Sequence, residues 1–539
     1  MRYGRREWCI FAARSYDYVV VGAGTAGCVI AARLSEDPDV RVLVIEAGSG
    51  QPLDAVAVPP VWPSLQGTSV DWAGTTVAQR ATGTVIPWPR GRVLGGSSAI
   101  NGMAFTRGHR SSYDAWPAAG ATGWEFDDLL PYLRRSERTN GRDPAVRGVD
   151  GSLTVGPAPT PHPVAAAGLA AAAEAGYPSV DDINSGLEEG FGWCDLNIVD
   201  GRRQSSADAY LVPVLQRPNL QVVTDALAHR VRLTGARCTG VEYSVGSAVM
   251  TAGCAGEVVL TGGTVGSAQL LMLSGIGPQA HPREVGVDVV LDLPGVGANV
   301  HDHPRSTVVY SSPVPIPAGV NNHAEMIGLV RSHLAQGAPD LQFQVLEIPY
   351  YAPALPPALP VPGQAYSVAF GAMTPRSRGS IRLADARPDT APLLNPNYYG
   401  DPRDIEVMAA GLRIARAIGQ ADALAPWRAD EVRPGPDVRD DDDDAVRRYL
   451  FHSLRTYSHQ VGSCRIGTDD LAVVDTDLRV RGIDGLRVVD ASVMPSIVSA
   501  NTNATIYGIA ERAAELIQAR VIQAAGPDLR AHHKEHDTA

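Results

Sequence analysis

The sequence predicts an α/β fold with a Rossmann-like, dinucleotide-binding lobe and at least one further lobe. Three observations predict it. Tyr18 to Gly48 read YVVVGAGTAGCVIAARLSEDPDVRVLVIEAG: a buried strand, a glycine turn, a helix and a second strand that ends on Glu46. The stretches Leu220 to Val223, Val231 to Leu233 and Glu257 to Leu260 carry strand signals, which suggests a return to the same sheet. The chain, at 539 residues, is too long for one compact core and should divide into two or three lobes.

The elements follow in order. Met1 to Arg14 holds Arg2, Arg5 and Arg6 before an apolar run too short for a secretory signal, so it reads as a disordered extension. In the first motif Gly22 permits the sharp turn, Gly24 lets backbone N–H groups approach a pyrophosphate, and Gly27 lets the helix pack on the sheet. The helix N-terminus then faces the phosphates. Glu46 stands where a carboxylate accepts from a ribose 2′-hydroxyl and would repel a 2′-phosphate. Pro59 to Gly96 is a long loop rich in Trp, Pro and Gly, the kind that covers a ligand. Helices are expected near Phe126 to Arg138, with Asp127 and Asp128 in the first turn, and over the alanine-rich Ala165 to Ala175. Gln342 to Gly363 is dense in proline and reads as neither a regular helix nor a central strand, but as a wall or lid. The acidic run Asp437 to Asp444 reads as a solvated helix start, and the end of the chain, with His532 and His533, as a frayed tail.

Hydrophobic content of 45% and charged content of 19% are ordinary for a globular protein. The net charge of −12 argues against nucleic acid or an anionic membrane as partner. No apolar stretch approaches the roughly 20 residues of a transmembrane helix. Cys9, Cys28, Cys194, Cys238, Cys254 and Cys464 lie far apart with no C-x-x-C pair, which fits reduced thiols in a cytoplasmic protein.

Later motifs narrow the reading. Gly91 to Asn101 reads GRVLGGSSAIN, followed by Phe105 and Gly108, a second loop of small side chains and many N–H donors. Gly263 to Gly277 reads GTVGSAQLLMLSGIG and Leu291 to Pro304 reads LDLPGVGANVHDHP. SHQVGSCRIG from Ser458, GLRVVDASVMP from Gly485 and NTNATIYGIAERAAELI from Asn501 complete the set. In this order, from about Tyr16 to Ile517, they resemble the glucose-methanol-choline oxidoreductases, flavoproteins that oxidise alcohols with bound FAD. Ala268 stands where that family usually has Pro or Ser, and His301 where Gln is common.

The resemblance implies a Rossmann-like FAD lobe built from 16–150, 205–310 and 456–520. A second, α+β substrate lobe on an antiparallel sheet would come from 151–204 and 311–455, with extensions at 1–15 and 524–539. It implies that Gly22, Gly24, Thr25, Ala26, Gly27 and Glu46 hold the ADP half of FAD. Arg92, Gly95, Gly96, Ser97, Asn101 and Gly102 would lie along the pyrophosphate and isoalloxazine. Ala228 would face the adenine, and Asp490 and Ala491 the ribityl or pyrophosphate end. Some relatives tether FAD through a histidine where this chain has Ile100, so noncovalent FAD is expected.

Alcohol oxidation needs a base for the hydroxyl proton and a group that stabilises the developing alkoxide while hydride passes from carbon to flavin N5. A neutral histidine suits the first task and an amide or second histidine the other. Thirteen histidines are present, so position must choose. The resemblance puts His459 in the place of the base and Asn501 in that of its partner, with Asn503 as reserve. His452 could flank the site, although a helix surface explains it as well. His301, Asp302 and His303 resemble a metal cluster but lack further ligands, so no metal is expected. Ser97 and Ser98 lack the G-x-S-x-G of a nucleophile elbow.

The resemblance therefore implies an FAD-dependent alcohol dehydrogenase or oxidase, choline-dehydrogenase-like in substrate, passing electrons to oxygen, a quinone or another acceptor. A hydroxynitrile-lyase-like or photodecarboxylase chemistry on the same fold is the alternative. A nicotinamide enzyme fits the first motif alone. The apolar wall Leu346 to Pro362 suggests an apolar or aromatic alcohol, while Glu347 could hold a cationic head group. A homodimer stays open.

Overall fold

The computed structural model describes residues 15–186, 189–352 and 360–524. The extensions expected before the first strand and after residue 524 lie outside them, as does Cys9. The chain enters as β1 (Ser15–Val21), crosses as α1 (Thr25–Leu34) and returns as β2 (Val42–Ile45). It continues through α2 (Phe126–Ser136), α3 (Pro163–Glu174), β3 (Gly190–Trp193) and β4 (Leu220–Val223). A meander of β5 (Ala226–Thr234), β6 (Arg237–Val245) and β7 (Ala248–Leu260) leads into α4 (Gly263–Leu273). Then come β8 (Pro304–Ser311), β9 (Met326–Val330), β10 (Leu341–Leu346), β11 (Ala365–Ala372) and α5 (Pro402–Gln420). The chain closes through β12 (Glu431–Arg433), α6 (Asp443–His452), β13 (Arg455–Thr456), β14 (Leu486–Val488) and α7 (Asn503–Ala524).

Two seven-stranded sheets organise these elements. The first runs β4-β2-β1-β7-β6-β5, with β14 also on β7; β1 is parallel to both β2 and β7. Val19, Val20, Val42 and Val44 are buried on both faces of this sheet, which is why the strands read as continuous apolar runs rather than alternating ones. Because the chain leaves β1 for β2 on one side and meets β7 on the other, the carboxyl end of β1 is a switch point where a crevice opens. Gly22 sits there.

The second sheet runs β12-β8-β11-β10-β9-β3, antiparallel throughout, with β13 also on β8. Its core is separate from that of the first sheet, with α3 and α5 packed on it. β8 belongs here, so residue 310, expected to end a segment of the nucleotide lobe, lies inside a strand of the other sheet.

One expectation is overturned. Gln342 to Leu346 lies in β10, a strand flanked by β9 and β11 in the middle of the second sheet. The prolines begin only at Pro349, and averaging over the whole segment hid the proline-free LQFQVL run. Residues 353–359 of the expected wall lie outside the described residues. The acidic run fares as expected, with Asp442 capping α6 by accepting from Ala445 N. No helix among the described residues is long and apolar enough to cross a membrane, and the five described cysteines are buried free thiols.

Candidate active site

A single cavity of about 760 Å³ runs from the switch point of the first sheet to the face of the second. Gly22, Gly24, Thr25, Ala26 and Glu46 line one end. Gly22 has φ +105°, and a Cβ there would stand 2.6 Å from Thr261 O, so only glycine makes the turn. The cap residue Gly24 offers no side chain to the first-turn N–H groups of α1, which leaves them to the cavity. Glu46 is held by Ala23 N at 2.6 Å and Gly48 N at 2.7 Å, and burial pushes its carboxyl above the usual range despite these donors.

Arg92, Gly96, Ser97, Ile100, Asn101 and Gly102 line the middle, with Ala228, Asp490 and Ala491 around them. Asp490 is already engaged, accepting from Gly263 N at 3.0 Å, Ser267 Oγ at 2.5 Å and Ser492 N at 2.8 Å; it ties α4 to the segment after β14. Gly27 and Gly95 do not line the cavity. Gly27 is a close-packing position, since a Cβ would fall 1.9 Å from Gly22 O, and Gly95 is a turn at φ +91°.

At the far end His459 and Asn501 meet. Asn501 Nδ2 lies 3.1 Å from His459 Nε2, and Asn501 Oδ1 is buried without a partner. His459 Nδ1 lies 2.8 Å from Nδ1 of His303, whose Nε2 lies 3.0 Å from the Met373 carbonyl. A carbonyl only accepts, so His303 carries its proton on Nε2 and its Nδ1 accepts. His459 must then carry its proton on Nδ1, which leaves Nε2 as a lone pair facing Asn501 and the cavity. Burial holds His459 well below its ordinary pKa, helped by His303 and Arg305, and burial pushes His303 down to about 3. Tyr457 stacks on the His459 ring at 5.1 Å between centroids and 11° between planes.

Asp302 underpins this arrangement. Its Oδ1 accepts from His459 N at 2.8 Å and His303 N at 2.9 Å, and its Oδ2 from Trp88 Nε1 at 2.8 Å, Tyr398 OH at 2.5 Å and Thr456 Oγ1. Only donors converge on it, which the ionised form satisfies, although burial raises its pKa.

The other candidates fall elsewhere. Asn503 starts α7 rather than extending the segment of Asn501, and its Oδ1 accepts from Thr25 Oγ1 at 2.9 Å, at the end of the cavity lined by Gly22 and Gly24. His452 is exposed at the end of α6, with Nδ1 on its own helix at Arg448 O. His301 is buried, accepting from Ile497 N and bonded to Asn299. Glu347 is buried and does not line the cavity; it pairs with His323 Nδ1 at 2.8 Å. Its carboxylate lifts the His323 pKa against the effect of burial.

A family model described as GMC oxidoreductase matches residues 16–305, and its C-terminal counterpart matches 375–510. The chain belongs to the GMC oxidoreductase family. Among curated relatives of this GMC oxidoreductase, human mitochondrial choline dehydrogenase is 38% identical over 93% of this chain and 90% of that protein. Alcohol dehydrogenase [acceptor] of Pseudomonas putida is 38% identical over 94% of this chain and 96% of its own. Among solved structures, pyridoxine 4-oxidase from Mesorbium loti superposes with a TM-score of 0.89 at 36% identity, covering 93% of this chain and 99% of that one. An Aspergillus oryzae formate oxidase structure concerned with FAD modification gives 0.87 at 26% identity, covering 95% and 99%. This GMC enzyme is an FAD-dependent oxidoreductase acting on CH–OH groups. Its own residues fit that cofactor: an uncapped helix start, a glycine turn that admits no Cβ, and one cavity continuous from Glu46 to His459.

Sequence reasoning placed Asn501 beside His459 but missed its other two partners. His303 and Asp302 were visible only as a triplet resembling a metal cluster. Their position beside His459 depends on a bridge between His301 and Val461 that no local pattern encodes.

Proposed function

We propose that this enzyme oxidises an alcohol to an aldehyde or ketone with His459 Nε2 as the acceptor of the hydroxyl proton. The observation that carries the proposal is the relay from Met373 O through His303 to His459, which leaves Nε2 unprotonated toward Asn501 and the cavity. Noncovalently bound FAD supplies the acceptor for the hydride lost from the substrate carbon. Asn501 donates its amide N–H to the substrate oxygen, replacing the contact it makes with His459, and so stabilises the alkoxide as it develops. His303 keeps the His459 ring in one tautomer, Tyr457 fixes its plane, and Asp302 anchors the backbone of both histidines. Gly22, Gly24, Thr25, Ala26 and Glu46 bind the ADP end. Arg92, Gly96, Ser97, Asn101, Gly102, Asp490 and Ala491 line the remainder, and Ala228 the adenine. The buried free thiols fit the expected cytoplasmic location.

Two outcomes follow. Because burial holds the pKa of His459 low, its base form is populated throughout the neutral range and is lost only as pH falls through that lowered pKa. The acid limb of the anaerobic flavin-reduction rate should therefore lie below the ordinary histidine value of about 6.5; a limb above it would contradict a His459 that is neutral in the resting site. Asn501→Ala should slow reduction as well, by less than loss of the base. Asn503→Ala should instead weaken FAD retention through loss of the Thr25 contact. A slow Asn503 variant with full FAD beside a wild-type Asn501→Ala rate would move the role to Asn503. Stopped-flow reoxidation by oxygen against a quinone separates oxidase from dehydrogenase.

A further inference from the structure

Arg305 and Arg455 face each other directly across the antiparallel β8–β13 pair, in the wall of the cavity that carries Tyr350, Gln344 and Leu346. Directly opposed side chains of such a pair lie on one face, and like charges there destabilise the sheet. Both guanidiniums lie against the Tyr350 ring, Arg455 at 4.0 Å and Arg305 at 4.6 Å from its centroid. Arg305 also lies 4.7 Å from the Tyr457 ring that stacks on His459. Arg305 is 5% exposed. Its Nε has no partner, and Nη2 has only a long 3.4 Å contact with Gln344. Arg455 donates to Tyr351 O and, at 3.1 Å, to Tyr350 OH. Among the described residues neither forms an ion pair with a carboxylate.

Among the described residues the buried arginines Arg107, Arg147 and Arg487 are answered by acids, whereas buried Arg203 is held by the Val56 and Ser98 carbonyls and Asn101 Oδ1. Arg107 and Arg147 share Glu137, and Arg147 also meets Asp182 and Asp195. Arg487 meets Glu257. A guanidinium taken from water without a carboxylate is penalised, and contact with an aromatic face returns only part of that; Arg305 is buried and Arg455 half-buried. The imbalance is concentrated on the substrate side of the cavity, one stacked ring away from His459. Gly24, at the end of the cavity away from His459, and Arg92 and Gly96, along its middle, are not part of this face.

We propose that the Arg305–Arg455 pair binds a carboxylate carried by the alcohol substrate. The inference rests on the oxidoreductase reading above and names its substrate class: a hydroxy acid whose CH–OH reaches His459 while its anionic end lies against the two arginines. The guanidinium fork suits a planar two-oxygen acceptor. A quaternary ammonium such as choline meets the wrong charge there, and Glu347, the acid that could have drawn a cation, does not line the cavity and pairs through Oε1 with His323.

The test uses the FAD-loaded full chain. Anaerobic stopped-flow reduction is measured with a chain-length series of ω-hydroxycarboxylates, each beside its ω-hydroxyamide, and with 4-(hydroxymethyl)benzoate beside benzyl alcohol and choline. At the best length the carboxylate should show an apparent Kd at least about tenfold below its amide, as expected of a charge-assisted contact. In Arg305→Met and Arg455→Met that ratio should fall to near one. Calorimetric binding of hexanoate or benzoate, which have no hydroxyl to oxidise, should be measurable in the wild type and lost in both variants. Equal Kd for acid and amide at every length in the wild type, or a preference for choline, overturns the carboxylate site while flavin reduction by neutral alcohols leaves the oxidoreductase reading standing. Variants that shift the flavin reduction potential but keep the ratio overturn it as well, since the arginines would then serve the cofactor. Failure of every alcohol to reduce the flavin overturns the parent reading and this one with it.

Discussion

Replacing His459 with Ala slows anaerobic flavin reduction by an alcohol at least about a hundredfold while FAD stays bound. The size follows from the role. His459 offers the lone pair at the substrate end of the cavity that the hydrogen-bond relay fixes as unprotonated, and nothing else near Asn501 replaces it: Asn501 is an amide and His303 is turned to Met373. FAD retention should survive because Gly22, Gly24 and Glu46, proposed to bind the ADP half, line the cavity at the end away from His459. His459→Gln, which keeps polarity without basicity, should be nearly as slow. Rapid reduction by either variant would remove His459 from the role of base.

The second large effect is on stability. Asp302→Ala should destabilise the protein by about 4 kcal/mol or more, because removing one buried acceptor leaves the indole of Trp88, the hydroxyls of Tyr398 and Thr456, and two backbone N–H groups without it. Asp302→Asn should rescue little of this. Its amide nitrogen would face donors, since Oδ1 and Oδ2 each accept at least two. The variant should also reduce flavin slowly, since the backbones of His459 and His303 lose their common anchor. Thermal unfolding and flavin content decide the matter: an Asn variant with wild-type midpoint and rate would show that the hub is not an ionised acceptor.

The first lobe was legible because its determinants are local. A strand, three glycines, a short helix and an acid occur within thirty or so residues, a length over which sequence spacing fixes geometry. β4 matched its expected bounds because a short apolar run between turn signals leaves little freedom. β10 was lost because a segment judged by its mean proline content conceals a proline-free half. Asn503, the reserve candidate, starts α7, and its Oδ1 accepts from Thr25 Oγ1. His303, Asp302, Arg305 and Arg455 were illegible as site residues because each acquires meaning only across the β8–β13 contact, between parts of the chain 150 residues apart. Such juxtapositions are tertiary facts, and no period or motif in one segment carries them.

The most direct test of the account is the absorbance spectrum of the purified protein before and after anaerobic addition of alcohols, hydroxycarboxylates among them. Flavin bands near about 375 and 450 nm that bleach on addition of an alcohol are the predicted result. Bands that persist with every alcohol would contradict proton abstraction by His459 coupled to flavin reduction, and would point instead to a lyase or photochemical use of the same site.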